Sequence, residues 1–186
     1  LTRAYIKRLL PVRDPEGHKG TFGKVYCLCG AVGYTGAPVL AATAAVRSGS
    51  GLVYLGVPEE IWPVTAVKCG SAMPFPLPSA QGRLSLAAEP MIREKMAPCD
   101  AVLIGCGLGR GGETDALTRK LLAALARHPN AGGVLVLGLG CENLTMEQFQ
   151  AELGPHDKNR VRFLVCQDVE DELAAGAALL KELADY

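Results

Sequence analysis

The feature that most constrains the fold of this chain is the stretch from His18 to Leu55. It reads as a buried strand, a glycine-rich turn, a helix of small residues and a second buried strand. Gly30, Gly33 and Gly36 lack a Cβ and accept positive φ, so the backbone can approach a ligand closely. The helix that begins near Gly36 directs its first N–H groups into the same turn. This pattern predicts a site for a nucleotide or another small molecule that carries an anionic group.

Continuous apolar runs, rather than alternating ones, are typical of strands that helices cover on both faces, as in a parallel sheet. Five such runs are Val25–Cys29, Gly51–Val57, Ala101–Ile104, Val134–Leu137 and Val161–Val165. A weaker strand is predicted at Lys68–Pro74, and a stiff extended loop at Pro74–Pro78. Thr145 and Gln148 have the spacing of a capping box, and Asp168 is predicted to cap the last helix.

Strands that alternate with helices along the whole chain predict an α/β fold. We expect one three-layer α/β/α domain over residues 1–186, with a mostly parallel, doubly wound sheet of five or six strands. Right-handed crossovers then place a ligand at the carboxyl ends of the strands.

Composition narrows the class of partner. Lys plus Arg and Asp plus Glu both total 19, and the chain has no basic stripe. This balance argues against nucleic acid or an anionic membrane surface as the main partner. The seven cysteines lie mostly within or at the ends of apolar runs, which favours free core thiols in a reducing compartment. With no signal peptide or apolar stretch of membrane length in the sequence, we expect a cytoplasmic protein.

Three glycine-rich segments follow predicted strands: Gly30–Ala37, Gly105–Arg110 and Gly138–Asn143. We expect them to converge on one edge of the sheet, as a ligand cleft requires. The amides of the second segment can form an anion nest, and Arg110 can add a charge-assisted hydrogen bond to a phosphate. The structural alternative is that glycine simply makes the turn from strand to helix.

The motifs HKGTFGKV, YTGAPVLAATAAVRSGSGLV and DAVLIGCGLGR, in that order, resemble the ADP/ATP-dependent NAD(P)H-hydrate dehydratases over about residues 10–125. That family has a ribokinase-like fold, so the resemblance implies a truncated ribokinase-like or Rossmann-like domain. Its members repair hydrated NADH or NADPH with ADP or ATP, which phosphorylates and expels the hydroxyl. For this chain the resemblance implies a hydrated nicotinamide nucleotide as substrate and ADP or ATP with Mg²⁺ as cofactor.

By the same resemblance, Gly36 and Ala37 line the nucleotide, and Gly107 lies beside it. The resemblance also implies His18, Lys19 and Gly20 in the access loop. The remaining predicted substrate-binding residues are Gly105, Gly109 and Arg110, in the turn after the apolar run Ala101–Ile104. A solvated loop is the alternative for His18 and Lys19. The family usually reads GPGLGR, where this chain has Cys106.

The resemblance ends after about residue 125. The family continues with an Asp-Ala-Asp-Gly-like segment, a His-Pro-Gly segment and a late Gly-Thr-Gly-Asp turn that carries the general base. The sequence contains none of them, and the catalytic residues therefore stay unknown. From this departure we expect impaired catalysis or none.

Residues 128–186 resemble an internal stretch of the altronate and galactarate dehydratases, which are metal-dependent lyases of sugar acids. The resemblance is carried by HPNAGGVLVLGLGCENLTMEQFQAEL and RVRFLVCQDVEDELAAGAALLKEL. It implies Cys141, Glu142 and Asn143 as polar contacts at a strand end. Cys141 and Glu142 are weak candidates for Fe²⁺ or Zn²⁺ ligands, because two adjacent residues do not make a metal site. A plain turn that leads to the Thr145 cap is the alternative.

Three functions therefore compete: a lyase of the nicotinamide-hydrate repair type, part of a sugar-acid dehydratase, and a non-catalytic nucleotide-binding fusion product. The switch between resemblances falls between Leu122 and Pro129, where we hypothesise that two α/β enzymes have been joined. A homo-oligomer is expected if the join leaves an apolar sheet edge exposed.

Overall fold

The computed structural model describes residues 2–10 and 12–186, which form eight strands and seven α-helices within these ranges. The strands are β1 Lys24–Leu28, β2 Leu52–Pro58, β3 Met73–Leu77, β4 Ser79–Ala80, β5 Arg83–Leu84, β6 Ala101–Ile104, β7 Val134–Gly138 and β8 Val161–Val165. The helices are α1 Arg3–Leu9, α2 Gly36–Arg47, α3 Trp62–Lys68, α4 Glu89–Met96, α5 Gly112–Ala126, α6 Met146–Leu153 and α7 Glu172–Asp185. Short 3₁₀ helices cover Glu59–Ile61, Leu86–Ala88 and Cys166–Asp168.

The chain divides into two compact units, one that ends at Gly109 and one that spans Arg110–Tyr186. Each contains its own parallel strands and its own apolar core. The α/β class and the mostly parallel strands predicted from the sequence are confirmed. The six parallel strands are distributed over a four-stranded sheet in the first unit and a two-stranded sheet in the second.

The first unit is built on a parallel sheet with the strand order β3-β2-β1-β6. Its central strands are the apolar runs identified above, and Val53 and Leu55 are fully or almost fully buried. Burial of one such side chain contributes about 1.5–3 kcal/mol. Pro38 and Ala42 of α2 are buried too, because small side chains let this helix approach the sheet closely. One core cluster joins strand and helix residues: Cys27, Cys29, Ala42, Val53, Leu55, Val57 and Ile61.

The third strand differs from the prediction. Residues 68–72 are a helix end and a bend, and β3 begins only at Met73, so most of the expected loop at Pro74–Pro78 is strand. Proline is tolerated because β3 is an edge strand. The carbonyl of Pro74 accepts a hydrogen bond from the Trp62 indole N–H at 3.0 Å, so the backbone polar groups of Pro74 point away from β2. Its missing N–H is therefore not needed in the sheet.

The second unit contains the parallel pair β7 and β8, with Val134 opposite Val161 and Gly138 opposite Val165. Phe149 and Leu153 of α6 are buried in its core. The hydroxyl of Thr145 accepts a hydrogen bond from the N–H of Gln148 at 3.4 Å, as the capping pattern predicts.

The prediction for the last helix was wrong. Asp171, not Asp168, caps α7 and accepts a hydrogen bond from the N–H of Ala174 at 2.8 Å. Asp168 ends the short 3₁₀ helix that follows β8. A local pattern finds an acidic residue before a helix, but the extra turn between strand and helix decides which aspartate reaches the first free amides.

Candidate functional site

Two of the three glycine-rich segments meet in the first unit. β6 pairs with β1, so the turns that follow these strands leave the sheet side by side. Gly30 donates its N–H to the carbonyl oxygen of Cys106 at 2.9 Å, and Gly105 donates to that of Leu28 at 3.2 Å. Residues 30–37 and 105–109 therefore lie next to each other at the carboxyl ends of the strands, as predicted for these two segments.

Close backbone approach explains one of the glycines. Gly107 has φ of +71°, and a Cβ there would lie 2.7 Å from the Cβ of Ala37 and 3.0 Å from that of Tyr34. Real Cβ atoms do not approach so closely. Gly107 therefore lets the turn after β6 pack directly on the start of α2.

Other glycines of these turns face open space. Apart from the adjacent residues and the nearby backbone of α2, no atom of the described residues lies within 4 Å of a Cβ built on Gly33, Gly36 or Gly105. In the same part of the chain, Thr35 precedes α2 without a side-chain cap hydrogen bond. At the start of α2, Ala37 donates its N–H to the Tyr34 carbonyl at 3.3 Å and Pro38 has no N–H. The positive end of the helix dipole therefore favours an anion mainly at Gly36, beside the open space at its Cβ position.

Sequence reasoning missed a short hairpin beside these turns. Val32 donates its N–H to the carbonyl of Gly82 at 2.8 Å, and the N–H of Gly82 is bound by a carboxylate oxygen of Glu60 at 3.1 Å. Ser79 also donates to Glu60, and these hydrogen bonds lower the pKa of the Glu60 carboxyl. The hairpin is thus pinned against the turn after β1.

Arg83, in the second strand of this hairpin, is a candidate that no sequence pattern indicated. A Cβ on Gly109 would lie 3.0 Å from the Nε of Arg83, so the guanidinium rests on the turn after β6. The half-buried side chain brings a positive charge to the otherwise uncharged turns at 30–37 and 105–109. The one available signal was the Gln81-Gly82 dipeptide, in which both residues adopt positive φ as a tight hairpin requires.

The predicted access loop lies elsewhere on the sheet. His18, Lys19 and Gly20 are exposed, and the Lys19 carbonyl packs against Gly51, which directly precedes β2. Because the strands are parallel, this loop is at their amino ends, whereas the glycine turns are at their carboxyl ends. His18 Nδ1 accepts a hydrogen bond from the N–H of Gly20 at 3.0 Å, which orders the loop internally.

The remaining candidates belong to the second unit. Arg110 donates from Nη1 to Asn143 Oδ1 at 2.6 Å, and its Nε lies 3.8 Å from Asp115 Oδ2. The structure therefore joins Arg110 and Asn143, two residues that separate motifs had indicated. In this unit, the Arg110 guanidinium is thus already paired with the side chains of Asn143 and Asp115.

The turn after β7 holds a carboxylate of its own. Glu142 Oε2 accepts hydrogen bonds from the N–H groups of Gly140 at 2.7 Å and Cys141 at 3.1 Å. The backbone N–H of Glu142 itself, followed by that of Gly140, lowers the pKa of the Glu142 carboxyl. In the described ranges, no group of three or more His, Cys, Asp or Glu residues is arranged to hold a metal ion. Cys141 and Glu142 by themselves do not fit a metal site.

Comparison with known proteins extends the second resemblance. The family model for the second domain of D-galactarate dehydratase/altronate hydrolase matches residues 83–186, which is more than half of the chain. The chain belongs to this family. The match begins well before residue 128, and it therefore includes the GCGLGR turn as well as the GLGCEN turn.

Curated relatives of this D-galactarate dehydratase/altronate hydrolase family member carry both kinds of name. A bifunctional NAD(P)H-hydrate repair enzyme of Moorella thermoacetica is 34% identical, and the alignment covers 98% of this chain and 36% of that protein. An altronate dehydratase of Bacillus subtilis is 39% identical over 69% of this chain and 25% of its own length. The chain thus spans about a third or a quarter of these relatives.

A solved structure supports the fold. A ribokinase-like superfamily protein of Enterococcus faecalis superposes with a TM-score of 0.62 at 21% identity, over 88% of this chain and 52% of that protein. Likeness at this identity shows the ribokinase-like fold alone. Among the described residues, no helix is both long and apolar enough to cross a membrane.

Proposed function

We propose that the first unit binds a phosphorylated nicotinamide nucleotide, hydrated NADH or NADPH, at the turns formed by residues 30–37 and 105–109. The observation that carries this proposal is the pairing of the two turns beside open space at Gly33, Gly36 and Gly105. The resemblance to NAD(P)H-hydrate dehydratases supports the choice of nucleotide.

Each part of the ligand has a complementary surface. The positive end of α2 at Gly36 suits a phosphate, and Arg83 beside Gly109 adds a positive charge. Tyr34 is 56% exposed next to Gly107 and offers an aromatic face to a nicotinamide or adenine ring. The loop of His18, Lys19 and Gly20 lies at the opposite ends of the strands, so these residues have no role in the proposed site.

The proposal limits the chemistry to binding. A dehydration needs a general base within hydrogen-bond reach of the reacting hydroxyl. The turns at 30–37 and 105–109 contain neither an acidic residue nor a histidine. ADP or ATP with Mg²⁺, which the resemblance implies as cofactor, has no acidic cluster to hold the cation among the described residues. We therefore propose that residues 1–186 bind the nucleotide without turning it over.

Substitution of Gly36 tests the site. Gly36→Ala places a methyl group in the open space at the helix start, so we expect about a tenfold loss of nucleotide affinity with stability unchanged. Gly112→Ala is the matched control, because Gly112 is also the first residue of a helix with open space at its Cβ position.

The measurement is a thermal shift with NADH, its hydrate, ADP and ATP, since stabilisation follows RT ln(1 + [L]/Kd). A flat response of the unaltered chain to all four would contradict the binding proposal and favour a folded product without a nucleotide site. Restoration of NADH absorbance from the hydrate with ATP would contradict the proposed lack of turnover.

The family match favours one alternative function, which is part of a sugar-acid dehydratase. Under this alternative, binding of galactarate or altronate would depend on added Fe²⁺ and on Cys141 and Glu142. The experiment compares metal content and galactarate-induced thermal shift in the unaltered chain and in Cys141→Ala. Equal values for both proteins would reject this alternative.

A further inference from the structure

Two cysteines lie close together at neighbouring strand ends. Cys29 directly follows β1, and Cys106 lies two residues after β6. Backbone hydrogen bonds hold the two segments together on both sides of this pair, from Gly105 to Leu28 and from Gly30 to Cys106. Cys106 is the neighbouring group that acts most strongly on the Cys29 thiol, which agrees with this placement.

The environments of the two thiols differ. Cys29 is fully buried, and burial raises the pKa of its thiol well above the ordinary value. Cys106 is exposed, so it departs from the prediction of core cysteines. One thiol therefore meets solutes directly, while its neighbour is shielded from them.

The turn has room for a bond between these sulfurs. Cys106 is flanked by Gly105 and Gly107, with φ of +135° and +71°. Among the described residues, open space surrounds the Cβ position of Gly105. A disulfide requires Cα atoms about 4.4–6.8 Å apart, a separation typical of residues on adjacent strands about 4.8 Å from each other.

We infer that Cys29 and Cys106 form an oxidisable dithiol that a peroxide converts into a disulfide across the ends of β1 and β6. This modification site does not rest on the proposed nucleotide binding. It would tie the turn after β6 to the turn after β1.

The chemistry balances with hydrogen peroxide as the two-electron oxidant. The Cys106 sulfur takes one oxygen atom as the O–O bond breaks, which leaves a sulfenic acid and one molecule of water. The Cys29 sulfur then attacks the Cys106 sulfur. An S–S bond forms, the S–O bond breaks, and the hydroxyl leaves with the Cys29 proton as a second water.

The test treats the folded protein with equimolar hydrogen peroxide, alkylates the remaining thiols after denaturation, and analyses tryptic peptides by mass spectrometry. We expect the free thiols to fall from seven to five. The peptides Val25–Arg47 and Met96–Arg110 should appear joined with the loss of two hydrogens, and dithiothreitol should separate them. Fragmentation of the joined peptides distinguishes Cys29 from Cys27 and Cys106 from Cys99 without altering the buried strand.

Cys106→Ser should abolish the linked peptides. Cys141→Ser, which removes the other exposed cysteine, should retain them. Two results would overturn the inference. In the first, the Cys106 sulfur is oxidised with oxygen while Cys29 stays a free thiol. In the second, the disulfide uses Cys27 or Cys99 instead.

Discussion

The turns after β1 and β6 and the turn after β7 start from the same sequence device and end in different states. In each, an apolar parallel strand ends in glycines that bend the chain. At the first pair of turns, Gly33, Gly36 and Gly105 border open space. At the turn after β7, the amides of Gly140 and Cys141 already bind the Glu142 carboxylate.

This difference shows that amide geometry alone does not define a ligand site. An anion nest that the chain fills with its own carboxylate offers a ligand no net gain, because the ligand must displace an equivalent group. A nest that faces solvent gains a partner only on binding. The first pair of turns is accordingly the better candidate site, although the family match centres on the other part of the chain.

The largest effect is expected from Gly107→Ala, which breaks the contact between the turns. Alanine at this position has an unfavourable φ, and its Cβ overlaps Ala37 and Tyr34. We therefore expect a loss of about 3 kcal/mol in the free energy of unfolding. Gly33→Ala is the control. Its φ of +89° is equally unfavourable, but its Cβ position is open in the described structure, so about 1 kcal/mol is expected. Urea denaturation measures both. Equal losses would show that the turns are not in tight contact.

A smaller and more local effect is expected from Glu142→Gln. The amide side chain keeps its size but loses the charge that strengthens the hydrogen bonds from Gly140 and Cys141. Hydrogen exchange at these two amides should become faster. Glu170→Gln, an exposed carboxyl of the same unit, should leave their exchange unchanged. Unaltered exchange in Glu142→Gln would mean that this nest is open, and the contrast with the first pair of turns would disappear.

The smallest effect is expected from Glu60→Gln, which weakens the support of the hairpin beside the open turns. Hydrogen bonds from Ser79 and Gly82 lower the pKa of the Glu60 carboxyl in the folded protein. Its contribution to stability is therefore present above the ordinary carboxyl pKa of about 4.3, and it disappears as the pH falls through the lower folded value.

The free energy of unfolding of the unaltered protein should thus fall more steeply below about pH 4.3 than that of Glu60→Gln. The difference should stay below about 1 kcal/mol because the group is exposed. Chemical denaturation at several pH values measures it. Glu59→Gln, which alters the neighbouring exposed carboxyl, should keep the steeper slope, and a parallel curve for Glu60→Gln would show that Glu60 does not hold the hairpin.

Much of the fold was predictable because its strands are unusually apolar. The runs at 25–29 and 161–165 predicted β1 and β8 to within one residue. Prolines hid β3, since an edge strand pairs on one side and accepts residues that a central strand would exclude. The division of six parallel strands between two sheets was not visible either, because each strand carries the same apolar signal.

The candidate site was predictable only in part. The glycine spacing identified the turns at 30–37 and 105–109, but it indicated a ligand site at the GLGCEN turn just as strongly. Arg83 escaped notice, because a single arginine after Gly82 carries no pattern. The resemblance placed His18 at the ligand site. In the structure, His18 lies at the amino ends of the strands, whereas the glycine turns lie at their carboxyl ends.

The sequence by itself determined which segments are strands and where glycine bends the chain, because burial preference and φ restrictions act on each residue locally. Only the tertiary structure decided which turns become neighbours, since that depends on β6 pairing with β1 rather than with another apolar strand. It also decided which turn holds a carboxylate. Glu142 folds back on the turn after β7, whereas the Cβ position of Gly36 borders open space in the described structure.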